Sequence, residues 1–142
     1  MSGIYKFVDH TADIAAELKG SSLQDIFEAG GKAWFSAITD DESIAADDTM
    51  EIELSANSQE ELLVTFLNEL NYLLLSQRWL CVSVNSFKLF DDNEGFELSA
   101  ELEGTKVSID FPMKHEIKSV TYHQVEIVVE DGKFSTLVVF DI

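Results

Sequence analysis

The stretch Ser58–Leu75, SQEELLVTFLNELNYLLL, carries the clearest structural pattern in the chain. Ser58 followed by Glu61 matches the capping box, in which both side chains hydrogen-bond main-chain N–H groups at the start of a helix. Apolar residues then recur at spacings of three and four on one broad face: Leu62, Leu63, Phe66, Leu67, Leu70, Leu73 and Leu74. This spacing predicts an amphipathic helix whose apolar face lies in the core of the domain.

An earlier segment predicts a second helix. Ser21 and Ser22 are good N-cap residues, and an apolar face follows them: Leu23, Ile26, Phe27, Gly30, Trp34 and Ile38. Gly30 and Gly31 lie in its middle, where each glycine costs roughly 1 kcal/mol relative to alanine. We therefore expect this helix to pack closely against a neighbouring element at these glycines.

The rest of the chain alternates between apolar and polar residues, which is typical of strands. Predicted strands cover residues 4–8, 12–18, 50–54, 82–90, 96–102, 122–130 and 134–142. Asp131-Gly132 favours a two-residue type I′ hairpin, and the acidic segment 39–49 reads as a loop. This order predicts an α+β domain, with two helices packed on one face of a mostly antiparallel mixed sheet.

Composition narrows the class of protein. The chain has 142 residues, 46% of them hydrophobic, and a formal net charge of -18 from 9 basic and 27 acidic side chains. The apolar content argues against disorder, and the length favours one domain spanning residues 1–142. Direct binding of nucleic acid or of an anionic membrane is disfavoured, because both need clustered lysine and arginine. The charge suits a basic protein partner, a metal cation or solubility alone.

Neither the cysteine content nor the N-terminal sequence indicates a particular function. Cys81 is the single cysteine and lies in an apolar stretch, so we expect a buried core thiol. Residues 1–8 lack the apolar core of a signal peptide, and the apolar run 72–75 is far too short to span a bilayer. We expect a soluble, cytoplasmic protein.

Polar residues that could carry chemistry form clusters, although phosphate loops, nucleophile elbows, paired cysteines and zinc helices are absent from the sequence. Residues 9–13, DHTAD, are expected to form a turn, and such a cluster more often has a purely structural role than a functional one. Residues 114–123 contain Lys114, His115, Lys118 and His123 and form the one locally cationic patch. Its zinc-ligand spacing is poor, so a solvated strand end is the alternative.

The third cluster lies at the end of the chain, where Asp141 precedes Ile142. If the 9–13 turn lies beside this strand end, Asp13, Asp141 and the carboxylate of Ile142 come together. Carboxylates at such range either bind a cation or titrate at raised pKa values. An all-oxygen ligand set favours calcium or magnesium over zinc.

Taken together, three segments resemble the archease family: VDHTADI at 8–14, KHEIKSVTYH at 114–123 and VFDI at 139–142. The helix pattern that begins at Ser58 is also similar. The resemblance runs from about Tyr5 to Ile142, nearly the whole chain. Ser119 replaces an expected alanine and residues 107–113 fit loosely, but neither departure touches the candidate ligands.

The resemblance implies an accessory protein rather than an enzyme. Archeases act on the GTP-dependent RNA-splicing ligase of tRNA splicing or RNA repair, promote guanylylation of its active-site histidine and allow multiple turnovers. Family members are also chaperone-like modulators of a tRNA cytosine methyltransferase. The resemblance implies the ligase as the partner of this chain, with the methyltransferase as the alternative.

The resemblance also implies a site. An acidic tip holds a divalent ion, usually calcium, with magnesium and manganese as alternatives. By motif match its ligands are Asp13, Asp141 and an oxygen of Ile142. Candidates for activating the partner are His10, Lys114, His115 and Lys118, and the sequence does not decide between the two lysines.

Two other classes of function are alternatives to an accessory protein of the ligase. A small stand-alone hydrolase would use His10, His115 and His123 with nearby carboxylates, and would act on nucleotides or phosphoesters without a partner. A holdase-type chaperone would need an exposed apolar patch and would not depend on Asp13 and Asp141.

Overall fold

A computed structural model describes residues 3–8, 13–121 and 125–142. The two helices are α1 (Leu23–Ile38) and α2 (Gln59–Gln77). The strands in this part of the chain are β1 (Ile4–Val8), β2 (Asp13–Gly20), β3 (Asp48–Ala56), β4 (Trp79–Asp92), β5 (Gly95–Lys106), β6 (Ser119–Thr121), β7 (Val128–Glu130) and β8 (Lys133–Asp141).

Both helices begin with the same arrangement of hydrogen bonds. In α2 the Ser58 hydroxyl accepts from the N–H of Glu61 at 3.0 Å, and the Glu61 carboxylate accepts from the N–H of Asn57 at 3.3 Å. In α1, Ser22 accepts from Asp25 at 3.1 Å and the Asp25 carboxylate accepts from the N–H of Ser21 at 2.9 Å. The predicted start of each helix is confirmed, because each serine satisfies a main-chain donor that the first turn leaves free and each carboxylate bonds the residue before the cap.

The strands form two antiparallel sheets. Sheet A has the order β1-β2-β8-β6, with β7 also paired to β8, and sheet B has the order β3-β5-β4. The predicted α+β class is confirmed, but the strands that we expected in one sheet are divided between two. Each helix contacts strands of both sheets, so the core lies between the helices and the inner faces of the sheets.

One predicted strand is largely wrong. The segment 122–130 was expected to be extended throughout, but within its described part only Val128–Glu130 pairs as a strand, and residues 122–124 lie outside the described residues. Side chains take up the main-chain groups before Val128: the Glu60 carboxylate accepts from the N–H of Ile127 at 3.0 Å, and the Thr136 hydroxyl donates to the carbonyl of Glu126 at 2.7 Å. β6, at Ser119–Thr121, was not predicted.

The hairpin between β7 and β8 follows its prediction. Asp131 and Gly132 have φ values of 54° and 74°, and Glu130 pairs with Lys133 on either side of them. Positive φ at both central residues is the geometry of a type I′ turn.

The core explains the remaining features of the sequence. Trp34, Trp79, Phe27 and Phe66 are among its largest fully buried side chains. A Cβ added at Gly30 would lie 3.3 Å from the Leu67 side chain and 3.4 Å from that of Leu18, which confirms the expected close packing at this glycine but not at Gly31, where the nearest atom would be 3.9 Å away. No helix in the described part of the chain is long and apolar enough to cross a membrane.

Cys81 is 3% exposed, as its apolar neighbours predict. Burial raises the pKa of its thiol to about 12, with a smaller contribution from the negative charge of Glu103. A raised pKa keeps the thiol protonated at physiological pH, which fits a side chain packed in the core.

Candidate functional site

The two aspartates of the predicted metal site meet at one end of sheet A. Asp13 begins β2 and Asp141 ends β8, and the antiparallel register places them directly opposite each other. Side chains of directly opposed residues have Cβ atoms about 5 Å apart, so the two carboxylates can reach a single ion. The proximity that the sequence could only conjecture is thus present in the fold.

The pair lies on the outer face of the sheet. The next residues in register, Ile14 and Phe140, pack in the core, and Phe140 is 0% exposed. Because successive side chains of a strand point to opposite faces, Asp13 and Asp141 point away from the helices. Ser119 lies opposite Asp141 on its other side, in β6, so a hydroxyl flanks the pair.

Lys118 adjoins the acidic pair through the main chain. Its N–H donates to the carbonyl oxygen of Asp141 at 2.7 Å, and its side chain is exposed. The main chain of Lys118 is thus fixed next to Asp141, and its side chain extends into solvent from that point.

Lys114 is held elsewhere. Its N–H donates to the carbonyl of Ile38 at the end of α1, at 2.8 Å, and its ammonium group pairs with Asp40 at 2.6 Å. The sequence did not distinguish the two lysines, but their surroundings differ. Lys118 is hydrogen-bonded to Asp141, whereas Lys114 lies against the loop that follows α1.

The other predicted residues are placed as follows. His115 is partly exposed, between the two lysines, and the Ile142 side chain is 36% exposed directly after Asp141. His10, a candidate for partner activation, lies outside the described residues, as does His123.

Opposed carboxylates are not confined to this edge. On the outer face of sheet B, Glu51 lies directly opposite Glu101, which also accepts a hydrogen bond from Asn85 at 2.5 Å. A carboxylate pair alone therefore does not define an ion site. The Asp13–Asp141 pair differs in having Lys118 and Ser119 beside it.

The donor set fits a hard cation in part. Among the described residues no three His, Cys, Asp or Glu side chains come together as a metal centre, so the edge offers two carboxylates plus main-chain and hydroxyl oxygens. Calcium takes six to eight oxygen ligands, which these carboxylates do not fill. Water, a partner or oxygens outside the described residues would complete the shell around an ion.

A surface cavity of about 640 Å³ lies at the opposite end of sheet A. It is lined by the ends of β2 and β8 around Gly20 and Phe134, with Lys19 and Lys133 at its sides. This cavity and the acidic pair are therefore separate features, because neither Asp13 nor Asp141 lines it.

Sequence reasoning missed two polar residues near the site. Asn68 and Asn71 of α2 both hydrogen-bond main-chain groups between Ile117 and Val120. This part of the chain lies beside Asp141 in sheet A. Their signal was an asparagine at positions three apart in an otherwise leucine-rich helix.

Fold and site together define a small two-sheet α+β domain with a pair of half-buried aspartates where two neighbouring strands end. The model of the family described as the Archease protein family matches residues 5–142. The chain belongs to the archease family.

Relatives support this assignment over nearly full length. The chain is 33% identical to protein archease of Methanosarcina barkeri, covering 97% of this chain and 95% of the relative. It is 33% identical to a Drosophila melanogaster protein archease-like, with 97% and 90% covered.

Solved structures show the same fold. The solution structure of Methanobacterium thermoautotrophicum protein 1598 matches with a TM-score of 0.81 at 26% identity, covering 97% of this chain and 98% of that one. The crystal structure of a Thermotoga maritima archease, described as a possible chaperone, matches with a TM-score of 0.61 at 22% identity and 96% coverage of both chains. The second match supports the fold alone.

Proposed function

We propose that this chain is an accessory protein of the GTP-dependent RNA-splicing ligase, active in the cytoplasm in tRNA splicing or RNA repair. It promotes guanylylation of the ligase and multiple turnover, and catalyses no reaction of its own. The observation that carries this proposal is the cross-strand pairing of Asp13 with Asp141 in a chain of the archease family.

A divalent ion, calcium in the first instance and magnesium or manganese otherwise, would be held by Asp13 and Asp141 with a main-chain oxygen of Ile142. Such an ion supplies positive charge to phosphate oxygens of a nucleotide. The chain's own residues position the carboxylates through the β2–β8 ladder, at an end of sheet A where both aspartates are only half-buried.

Charge supports a partner of this chemistry. A ligase that binds RNA and nucleotide presents a basic cleft, and a domain with a net charge of -18 is attracted to such a surface. The acidic edge, with Lys118 beside it, would then enter the cleft while RNA stays bound to the ligase.

The test is ligase guanylylation and product formation beyond one turnover, with and without this protein. Asp13→Ala and Asp141→Ala should each remove most of the stimulation, whereas Glu51→Ala removes the same charge from sheet B and should leave it intact. Full stimulation by folded Asp13→Ala and Asp141→Ala variants would refute the role of the pair.

A second candidate function is a chaperone-like modulator of a tRNA cytosine methyltransferase. Exposed apolar side chains, such as those of Phe90, at 51%, and Val129, at 56%, favour it, because a chaperone binds apolar surface of its client. Suppression of methyltransferase aggregation that is equal for the native protein and Asp141→Ala would support this candidate. Binding to the ligase in a pull-down would favour the first.

A further inference from the structure

The segment that carries the cationic residues, 107–118, has no regular secondary structure. Its main chain is nevertheless fixed at three points: Val107 donates to Arg78 at 2.8 Å, Lys114 to Ile38 at 2.8 Å and Lys118 to Asp141 at 2.7 Å. The third point joins it to the acidic edge. Two side chains of α2 hold the segment against the domain close to that point.

Asn71 of α2 is the first of these side chains. It is 3% exposed, its amide N–H donates to the carbonyl of Ile117 at 2.7 Å, and its amide oxygen accepts from the indole N–H of Trp34 at 3.1 Å. A buried amide is costly unless both ends are hydrogen-bonded, and here both are. Asn71 therefore ties the segment to both helices immediately before Lys118.

Asn68 of α2 is the second of these side chains. It lies three residues before Asn71, so both asparagines are on the same side of α2. Its amide oxygen accepts from the N–H of Val120 at 2.8 Å, and its amide N–H donates to the carbonyl of Val120 at 2.9 Å. One side chain thus provides the two hydrogen bonds that a neighbouring strand would otherwise give to a residue of β6.

β6 is consequently held on both sides, by β8 through the sheet and by Asn68 through its side chain. This arrangement fixes Lys118 and Ser119 relative to Asp141. We infer that Asn68 and Asn71 are positioning residues, which hold the Lys118–Val120 main chain so that Lys118 stays next to Asp141. In its consequence for ligase activation this inference rests on the proposed function.

Asn68→Ala is the informative variant, because Asn68 is partly exposed and its truncation leaves the core intact. The matched control is Thr136→Val, which removes a side chain to main chain hydrogen bond at the far end of β8. Amide hydrogen exchange by NMR reports on the segment, and ligase guanylylation reports on function.

We expect Asn68→Ala to speed exchange of the Lys118 and Val120 amides by about tenfold, since two hydrogen bonds are lost. Amides of the β3–β5 pairing should be unchanged, and ligase stimulation should fall several-fold. Thr136→Val should change neither the exchange of these two amides nor the stimulation, even if its unfolding free energy drops equally.

Unchanged exchange at Lys118 and Val120 would overturn the inference. So would faster exchange with full ligase stimulation, because the segment would then be loosened without consequence. If the native protein itself gives no stimulation, the proposed function fails, and the exchange rates alone decide whether Asn68 holds the segment.

Discussion

Asp13 and Asp141 lie directly opposite each other across the β2–β8 pairing, on the outer face of sheet A. Like charges directly opposite in a sheet oppose folding, by about 0.2–1 kcal/mol per pair. A divalent cation bound between the two carboxylates, as we propose, would reverse that effect. The stability of this end of sheet A would then depend on the ion.

Calcium should stabilise the protein through this pair. Binding to the folded state alone adds about 2.7 kcal/mol when the free ion exceeds its dissociation constant 100-fold. Asp141→Asn should lose most of the calcium-induced rise in melting temperature, whereas Glu51→Gln, an equal change of charge, should keep it. Thermal unfolding with calcium, magnesium or manganese measures both. Equal shifts in the two variants would show that any ion effect is nonspecific.

The two lysines should differ in function. Lys118 adjoins Asp141 through a main-chain hydrogen bond, whereas Lys114 pairs with Asp40 on the loop after α1. We expect Lys118→Ala to lower ligase stimulation by about tenfold, as loss of an interfacial charge can. Lys114→Ala should reduce stimulation less and lower stability by no more than about 1 kcal/mol, since its ion pair is exposed. A larger functional loss for Lys114→Ala would reverse this assignment.

Local patterns predicted much of this fold. The start of α2 at Ser58, the hairpin at Asp131-Gly132 and β1 depend on residues close in sequence, and the structure has them where expected. The division into two sheets was not predictable, because β8 pairs with β2, more than a hundred residues earlier. No local pattern encodes such a pairing. β6 was missed because a side chain, Asn68, replaces one of its strand partners.

The candidate site could also be predicted only in part from local sequence. Asp13 and Asp141 could be named from the sequence, since carboxylates stand out as ligands, but their contact depends on the β2–β8 register. The choice between Lys114 and Lys118 required the positions of Ile38 and Asp141. Polar residues within an apolar helix face were the one available sign of Asn68 and Asn71, and only the fold shows which main chain they hold.

The adjacent glycines of α1 should respond differently to alanine. A Cβ at Gly31 would meet nothing closer than 3.9 Å, whereas a Cβ at Gly30 would lie 3.3 Å from the Leu67 side chain. Gly31→Ala should therefore raise the free energy of unfolding by about 0.5–1 kcal/mol, the gain in helix propensity. Gly30→Ala should gain less or lose stability, because buried leucines must shift. Chemical denaturation of both variants tests this, and equal gains would contradict the packing difference.

Cys81 should make stability depend on pH in the alkaline range. Burial holds the pKa of the folded thiol at about 12, above its ordinary value of 9.0. Above about pH 9 the unfolded thiol loses its proton while the folded one keeps it, so ionisation favours unfolding. The free energy of unfolding should fall by up to about 1.4 kcal/mol per pH unit from this group.

Cys81→Ala removes the titrating group and serves as the control for every other ionisation. Its free energy of unfolding should decline less steeply than that of the native protein between about pH 9 and pH 11, so the two curves should converge. Parallel curves would mean that the thiol ionises equally in both states. A native thiol that reacts with a disulfide reagent only as fast as the protein unfolds would independently support burial, because the thiolate is the reactive form.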